Sequence, residues 1–310
     1  MLKIKMCIML MISMIATLSM NAQTMIDGVF MSKKVFCGGL LYSNDTWKNY
    51  WEGTSKRDNL NLGTVTTQSV ALMFDHGITN RLNLLGSLPY ITTKASLGTL
   101  AGQRGIQDLN LALKYKLYDH SFGKLQIIGA MTLGASTPIG NYTPDLLPLS
   151  IGMQSKTAFG TAIVYAQHKN GLTATINATY TARGNVKLDR YSYYTTQQNQ
   201  TNIAAVPDVT QYNVKFGYCT YRLEVIANYL QTTCRTGNDI RVQDMPFVGN
   251  KMDMSRVGLF TSYRIKPLKD LQVVAMYWKT IKGRNVGESQ TFSVGLMKTL
   301  DFNKKENTAQ

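Results

Sequence analysis

The chain has 310 residues, 44% hydrophobic and only 16% charged, with a formal net charge of +15. Globular proteins average about 25% charged residues; here Thr, Asn, Gln, Ser and 17 Tyr stand in for the missing charge. A mean hydropathy of −0.13 excludes a bundle of membrane helices, and after Thr24 no apolar run approaches the ~18 residues of a spanning helix.

The N-terminus has the layout of an export signal. Lys3 and Lys5 form a basic start, Met6 to Met20 an apolar core, and Asn21-Ala22-Gln23 a cleavage point after Ala22. Residues 1–22 are therefore expected to be a signal peptide and residues 23–34 a short segment, too short for a plug domain. Cleavage removes Cys7 and both lysines, leaving a charge of +13 and three cysteines, Cys37, Cys219 and Cys234. No C-x-x-C pair exists, and two cysteines 15 residues apart on extended chain cannot be bridged. Neither a metal nor any other cofactor is expected. The positive charges are scattered, and an exported protein does not meet nucleic acid; lipopolysaccharide phosphates and small solutes are the expected partners.

Alternation with period two then dominates the chain. It predicts about twelve strands, near Val35–Tyr42, Val65–Asp75, Leu82–Tyr90, Gln107–Tyr118, Leu125–Ser136, Ser155–His168, Leu172–Ala182, Val209–Cys219, Tyr221–Cys234, Met254–Ile265, Leu271–Thr280 and Gln290–Phe302. Leu172, Ala174, Ile176, Ala178 and Tyr180, interleaved with Thr173, Thr175, Asn177, Thr179 and Thr181, show the pattern plainly. Each segment suits the 9–11 residues of a tilted membrane strand. Short turns at His76–Arg81, Asp119–Gly123, Lys169–Gly171, near Thr220 and at Lys266–Asp270 alternate with long polar loops. The long loops are Ser43–Thr64, Ile91–Ile106, Thr137–Gln154, Arg183–Asp208 and Arg235–Asp253. That rhythm predicts an all-β fold: an antiparallel transmembrane β-barrel over residues 35–302, short turns periplasmic and long loops extracellular, with residues 303–310 a polar tail. Such a barrel sits in the bacterial outer membrane, in contact with its lipid and lipopolysaccharide, and uses barrel-assembly machinery during biogenesis. Tyr42, Tyr90, Tyr180 and Trp278 are expected in an outer aromatic belt, and Phe74, Tyr118, Tyr218, Tyr263 and Phe302 in an inner one.

If Leu111, Leu113 and Tyr115 face lipid, strand parity turns Lys114 and Lys116 inward. The same parity selects Lys215, Arg222, Glu224, Arg256 and Arg264 as lumen-facing candidates for selectivity, making a net basic wall with Glu224–Arg264 its best internal pair. Two loops are oddly apolar, Pro144-Asp145-Leu146-Leu147-Pro148-Leu149 and Met245-Pro246-Phe247-Val248. Their Leu146, Leu147, Leu149, Met245 and Phe247 are expected to fold into the mouth, since exposed leucines gain ~1.5–3 kcal/mol each on burial. His76, His120 and His168 all fall at or beside periplasmic turns, none near the outer rim where a surface hydrolase would work, and no catalytic motif appears. No enzyme is expected.

Gly77-Ile78-Thr79-Asn80-Arg81-Leu82-Asn83-Leu84 resembles the periplasmic turn and following strand of many barrel transporters. Ile106-Gln107-Asp108-Leu109 running into Leu113-Lys114-Tyr115-Lys116, and Thr137-Pro138-Ile139-Gly140, resemble a strand and a strand end of the meta-pathway phenol-degradation family of outer-membrane proteins. Ile106-Gln107 stands where that family more often has Gly before Asp. The resemblance implies a channel for small, often aromatic, compounds. Combined with the basic wall, it predicts passive uptake of small aromatic or amphipathic anions; the alternative is a structural or adhesive barrel without transport.

Overall fold

The computed structural model describes residues 25–241, 244–265, 268 and 270–303. The expected signal peptide and most of the polar tail lie outside the described residues, as does part of the Lys266–Asp270 turn.

Twelve long strands form the wall: β1 (Val35–Trp47), β2 (Val65–Gly77), β3 (Leu82–Ala95), β4 (Asp108–Phe122), β5 (Leu125–Pro138), β6 (Thr157–His168), β7 (Leu172–Arg183), β8 (Val209–Cys219), β9 (Leu223–Cys234), β10 (Asp253–Arg264), β11 (Leu271–Arg284) and β12 (Gln290–Asp301). Each pairs antiparallel with its sequence neighbours, and β1 pairs with both β2 and β12, closing the barrel. The last strand stops at Asp301, one residue before the expected Phe302. Several strands run past their expected outer ends, β1 to Trp47, β3 to Ala95 and β11 to Arg284, because polar residues continue the ladder above the apolar band. Small hairpins decorate the long loops, such as Asn49–Glu52 with Ser55–Asp58 and Tyr193–Tyr194 with Gln198–Asn199.

The burial pattern is inverted relative to a soluble protein. Outward side chains are Leu40, Leu72, Leu113, Val164, Ile176, Val214, Phe216, Leu259 and Leu296, all exposed. Inward ones include Asn83, Thr132, Thr161, Asn177, Asn213, Ser262 and Ser293, all buried. Inner-wall hydroxyls pair across strands, as in Thr161 with Thr179 at 2.9 Å and Ser43 with Ser293 at 2.7 Å. Only a solvent of hydrocarbon makes this arrangement favourable: apolar groups meet lipid and polar groups satisfy one another inside. Among the described residues no helix is long and apolar enough to cross a membrane; the strands do so.

One seam is short. β3 meets β4 through Leu82–Ser87 only; above that, Tyr90–Thr92 pair with the short strand Arg104–Ile106 instead. Pro89 lies within this stretch and has no N–H to donate to a ladder.

The outer aromatic belt needs one correction. Tyr42, Tyr90 and Tyr180 are exposed on the lipid side, but Trp278 lines an interior cavity and its neighbour Tyr277 faces outward. Because β11 runs on to Arg284, Trp278 is not a strand end, and parity turns its indole inward. Of the inner-belt residues, Tyr118, Tyr218, Tyr263 and Phe302 are exposed, and Phe74 stacks on Phe36 with ring centroids 6.0 Å apart.

Candidate functional site

The interior is organised around residues 25–34, which enter from the periplasmic end, where β1 begins and β12 finishes. Met31 is buried with Val35, Cys37, Val274 and Met297, pinning the segment to the wall. From there it crosses the lumen. The Asn177 amide on β7 donates to the Ile26 carbonyl at 3.0 Å, and the Thr132 hydroxyl on β5 donates to that of Met25 at 2.9 Å. Gly28 lies against the Tyr165 side chain so closely that a Cβ there would stand 2.1 Å from that of Tyr165. Only glycine fits such an approach.

Lys114 is the main anchor. Its side chain is fully buried, 3.0 Å from Asp27 and 3.9 Å from Asp75, and its ammonium donates to the Val29 carbonyl at 2.6 Å. Asp75 in turn accepts from the Asn83 amide at 2.8 Å. The Phe30 ring lies under both Lys114 and Lys116, 4.9 and 5.1 Å from their ammonium groups. A buried lysine needs such partners, since an unpaired charge inside costs several kcal/mol.

Lys116 pairs with Asp119 at 2.9 Å. Arg256 donates to the Thr291 hydroxyl at 2.5 Å, lies 4.0 Å from Asp45 and sits over the Trp278 ring. Lys215 and Glu224 line one cavity with Asp27. Arg264 is buried, with its guanidinium over the Tyr221 ring at 4.5 Å. Arg222 is exposed in the turn before β9, outside the wall, because the strand starts at Leu223, two residues later than expected. The net basic wall is thus largely neutralised: Asp27, Asp45, Asp75 and Asp119 each stand beside one of its cations. Asp27 escaped the sequence reading because its partner Lys114 is 87 residues away and the segment has no periodicity.

The segment separates two spaces. A cavity of about 240 Å³ on one side is lined by Asp27, Tyr165, Asn213, Lys215, Glu224 and Trp278, among others. On the periplasmic side a wider vestibule of about 690 Å³ borders Val29, Phe30, Lys116, Gln167 and Tyr221.

Loops cover the outer mouth. Leu149 is fully buried beside Leu62 and Val65, and its carbonyl accepts from the Thr93 hydroxyl at 2.5 Å. Leu147 and Phe247 pack against a second cluster formed by Val186, Leu188, Ala204, Val206 and Val248. Leu146 is half-buried, while Met245 is 46% exposed and stays outside both clusters. Ion pairs tie the loops down, Arg190 to Asp145 and Arg284 to Asp239. The Arg284 guanidinium donating to Asp239 holds that carboxyl down to about 2. In the loop at Tyr142, burial and the Asp108 carboxylate push the phenol well above its ordinary range.

The histidines are not brought together. His168 bonds Asn170 at 2.7 Å, His120 lies between Tyr118 and Phe122, and His76 lies near Phe36 while Asp75 points inward to Lys114.

No protein-family model matches the chain, and no curated protein sequence does. Among solved structures it is similar to an outer membrane channel from Pseudomonas putida F1, with a TM-score of 0.70 at 12% identity, covering 90% of this chain and 100% of that one. It also matches the NanC porin at a TM-score of 0.46 and 10% identity, covering 84% of this chain and 100% of that one. A third match is the CymD monoaromatic hydrocarbon channel, at 0.38 and 10% identity, covering 88% and 89%. The Pseudomonas likeness extends over nearly the whole chain and is one of fold: the protein is an outer-membrane β-barrel of twelve antiparallel strands.

Proposed function

We propose that the protein is a passive channel for small solutes across the outer membrane and not an enzyme. The observation that carries this reading is the polar, cavity-containing interior inside an apolar wall. A barrel serving only as a scaffold could fill its interior with interdigitated side chains, as small barrels do. Here a short segment crosses the lumen, with a cavity on one side and a vestibule on the other. Loop clusters at Leu149 and Val248 narrow the outer mouth and restrict passage to small solutes. Within this reading the solutes are amphipathic, because the cavity pairs ionisable groups with Phe260, Met276 and Trp278. The anionic preference expected from sequence loses most of its support, since Lys114, Lys116 and Arg256 stand beside carboxylates.

Refolded protein in a planar bilayer should give discrete, long-lived conductance steps. The same protein in liposomes should admit solutes of amino-acid size and exclude trisaccharides. Folded protein that gives no steps and no swelling would overturn the channel reading in favour of a structural or adhesive barrel.

A further inference from the structure

The 240 Å³ cavity has two chemically distinct halves. Ile226 on β9 is the register partner of Phe260 on β10, which is the partner of Met276 on β11. They form an apolar strip across three strands at one depth of the lumen. Trp278 continues it, its indole lying where its register partner Gly258 leaves room; a Cβ on Gly258 would come within 2.5 Å of the ring.

The other half is polar. Asn213 is 1% exposed, and neither atom of its amide has a hydrogen-bond partner among the described residues. Glu224 is 6% exposed, and its Oε2 is likewise without one among them. Nearly all buried polar groups in native proteins find partners, so two such side chains lining one cavity point to a bound group. Lys215 also lines the cavity, yet among the described residues no ion pair within 4 Å joins it to Glu224. Opposite charges held apart around a cavity, with an unpartnered amide between strands, complement a solute that carries both charges itself.

We propose that this cavity binds a small zwitterion with an apolar side chain, an apolar α-amino acid. The solute ammonium donates to Glu224, its carboxylate accepts from Lys215 and the Asn213 amide, and its side chain lies on Phe260, Met276 and Trp278. A cavity of about 240 Å³ leaves room for a solute of amino-acid size. The proposal rests on the channel reading for access, since the solute must enter the lumen.

The test follows tryptophan fluorescence of refolded protein carrying Trp47→Phe and Trp51→Phe, in which Trp278 is the remaining tryptophan. Leucine, 4-methylpentanoate and 3-methylbutylamine are titrated in turn; the second lacks the ammonium and the third the carboxylate. Leucine should change the fluorescence saturably, and each analogue should bind at least about tenfold more weakly, the loss of one charge-assisted hydrogen bond. Glu224→Gln should weaken leucine but not 4-methylpentanoate, and Lys215→Met should weaken leucine but not 3-methylbutylamine. Three ligands binding alike, or no saturable response, would overturn the proposal. Salt conductance of the same preparation separates the two readings. Conductance without leucine binding removes the site and leaves the channel; leucine binding without conductance removes the channel and leaves the site.

Discussion

Replacing Asp27 by asparagine should raise the salt conductance of the barrel several-fold. Asp27 is the nearer of the two carboxylates holding Lys114, and its own segment crosses the lumen between cavity and vestibule. Breaking a buried pair costs ~3–5 kcal/mol. Part of that is spared here because Asp75 stays beside Lys114, so the barrel itself should fold. Even ~3 kcal/mol taken from the segment's hold shifts its bound-to-released ratio by about two orders of magnitude. Gly28→Val approaches the same end by another route, since its Cβ would overlap that of Tyr165. Both variants should enlarge the single-channel step while folded yield, read by heat-modifiable migration on gels, stays near wild type. Two folded variants with wild-type conductance would show that the segment does not limit current. Lys114→Glu is a poor probe of ion selectivity for the same reason: it would place three carboxylates together and eject the segment.

Lysine at Ile176 should lower the stability of the folded barrel by ~2–4 kcal/mol, the cost of a cation on the lipid face at mid-depth. Ile176 is 62% exposed and sits near the middle of β7 between register partners Val164 and Val214, so hydrocarbon is its only solvent. Lysine at Leu172, at the periplasmic end of the same strand, should cost only ~0–1 kcal/mol, because its stem can reach the interface. The measurement is folded fraction in liposomes against urea, both variants beside wild type. Equal effects at the two depths would mean that β7 does not span the bilayer as described.

Much of this architecture was legible in the sequence because membrane strands write their two solvents into alternate residues. Leu172 to Arg183 reads apolar and polar by turns, and the structure keeps that parity without a slip. Parity also turned Lys114 and Arg256 inward from their neighbours alone. Parity and strand end conflict at Trp278: a β11 ending at Thr280 would make it terminal, but the strand runs to Arg284 and parity turns the indole inward. The segment across the lumen was illegible for a different reason. Met25 to Phe30 is irregular, and its partners Lys114, Thr132 and Asn177 lie on three separate strands, 85 to 151 residues away. No local pattern encodes such contacts. Counting lysines against acids on the strands alone therefore made the wall look more basic than it is.

The short contact between β3 and β4 bears on how the barrel moves. Six register pairs hold it, Leu82 to Ser87, against twelve between β1 and β12. Thermal agitation is shared around a closed wall, but a ladder opens where fewest bonds must break together. Deuterium should therefore enter the amides along the upper edge of β3, beside Pro89 and the Arg104–Ile106 strand, well before it reaches β1 or β12. A barrel that breathes along one line has, in effect, a hinge parallel to its strands, and the outer mouth beside Leu149 would widen and narrow as that line loosens and tightens.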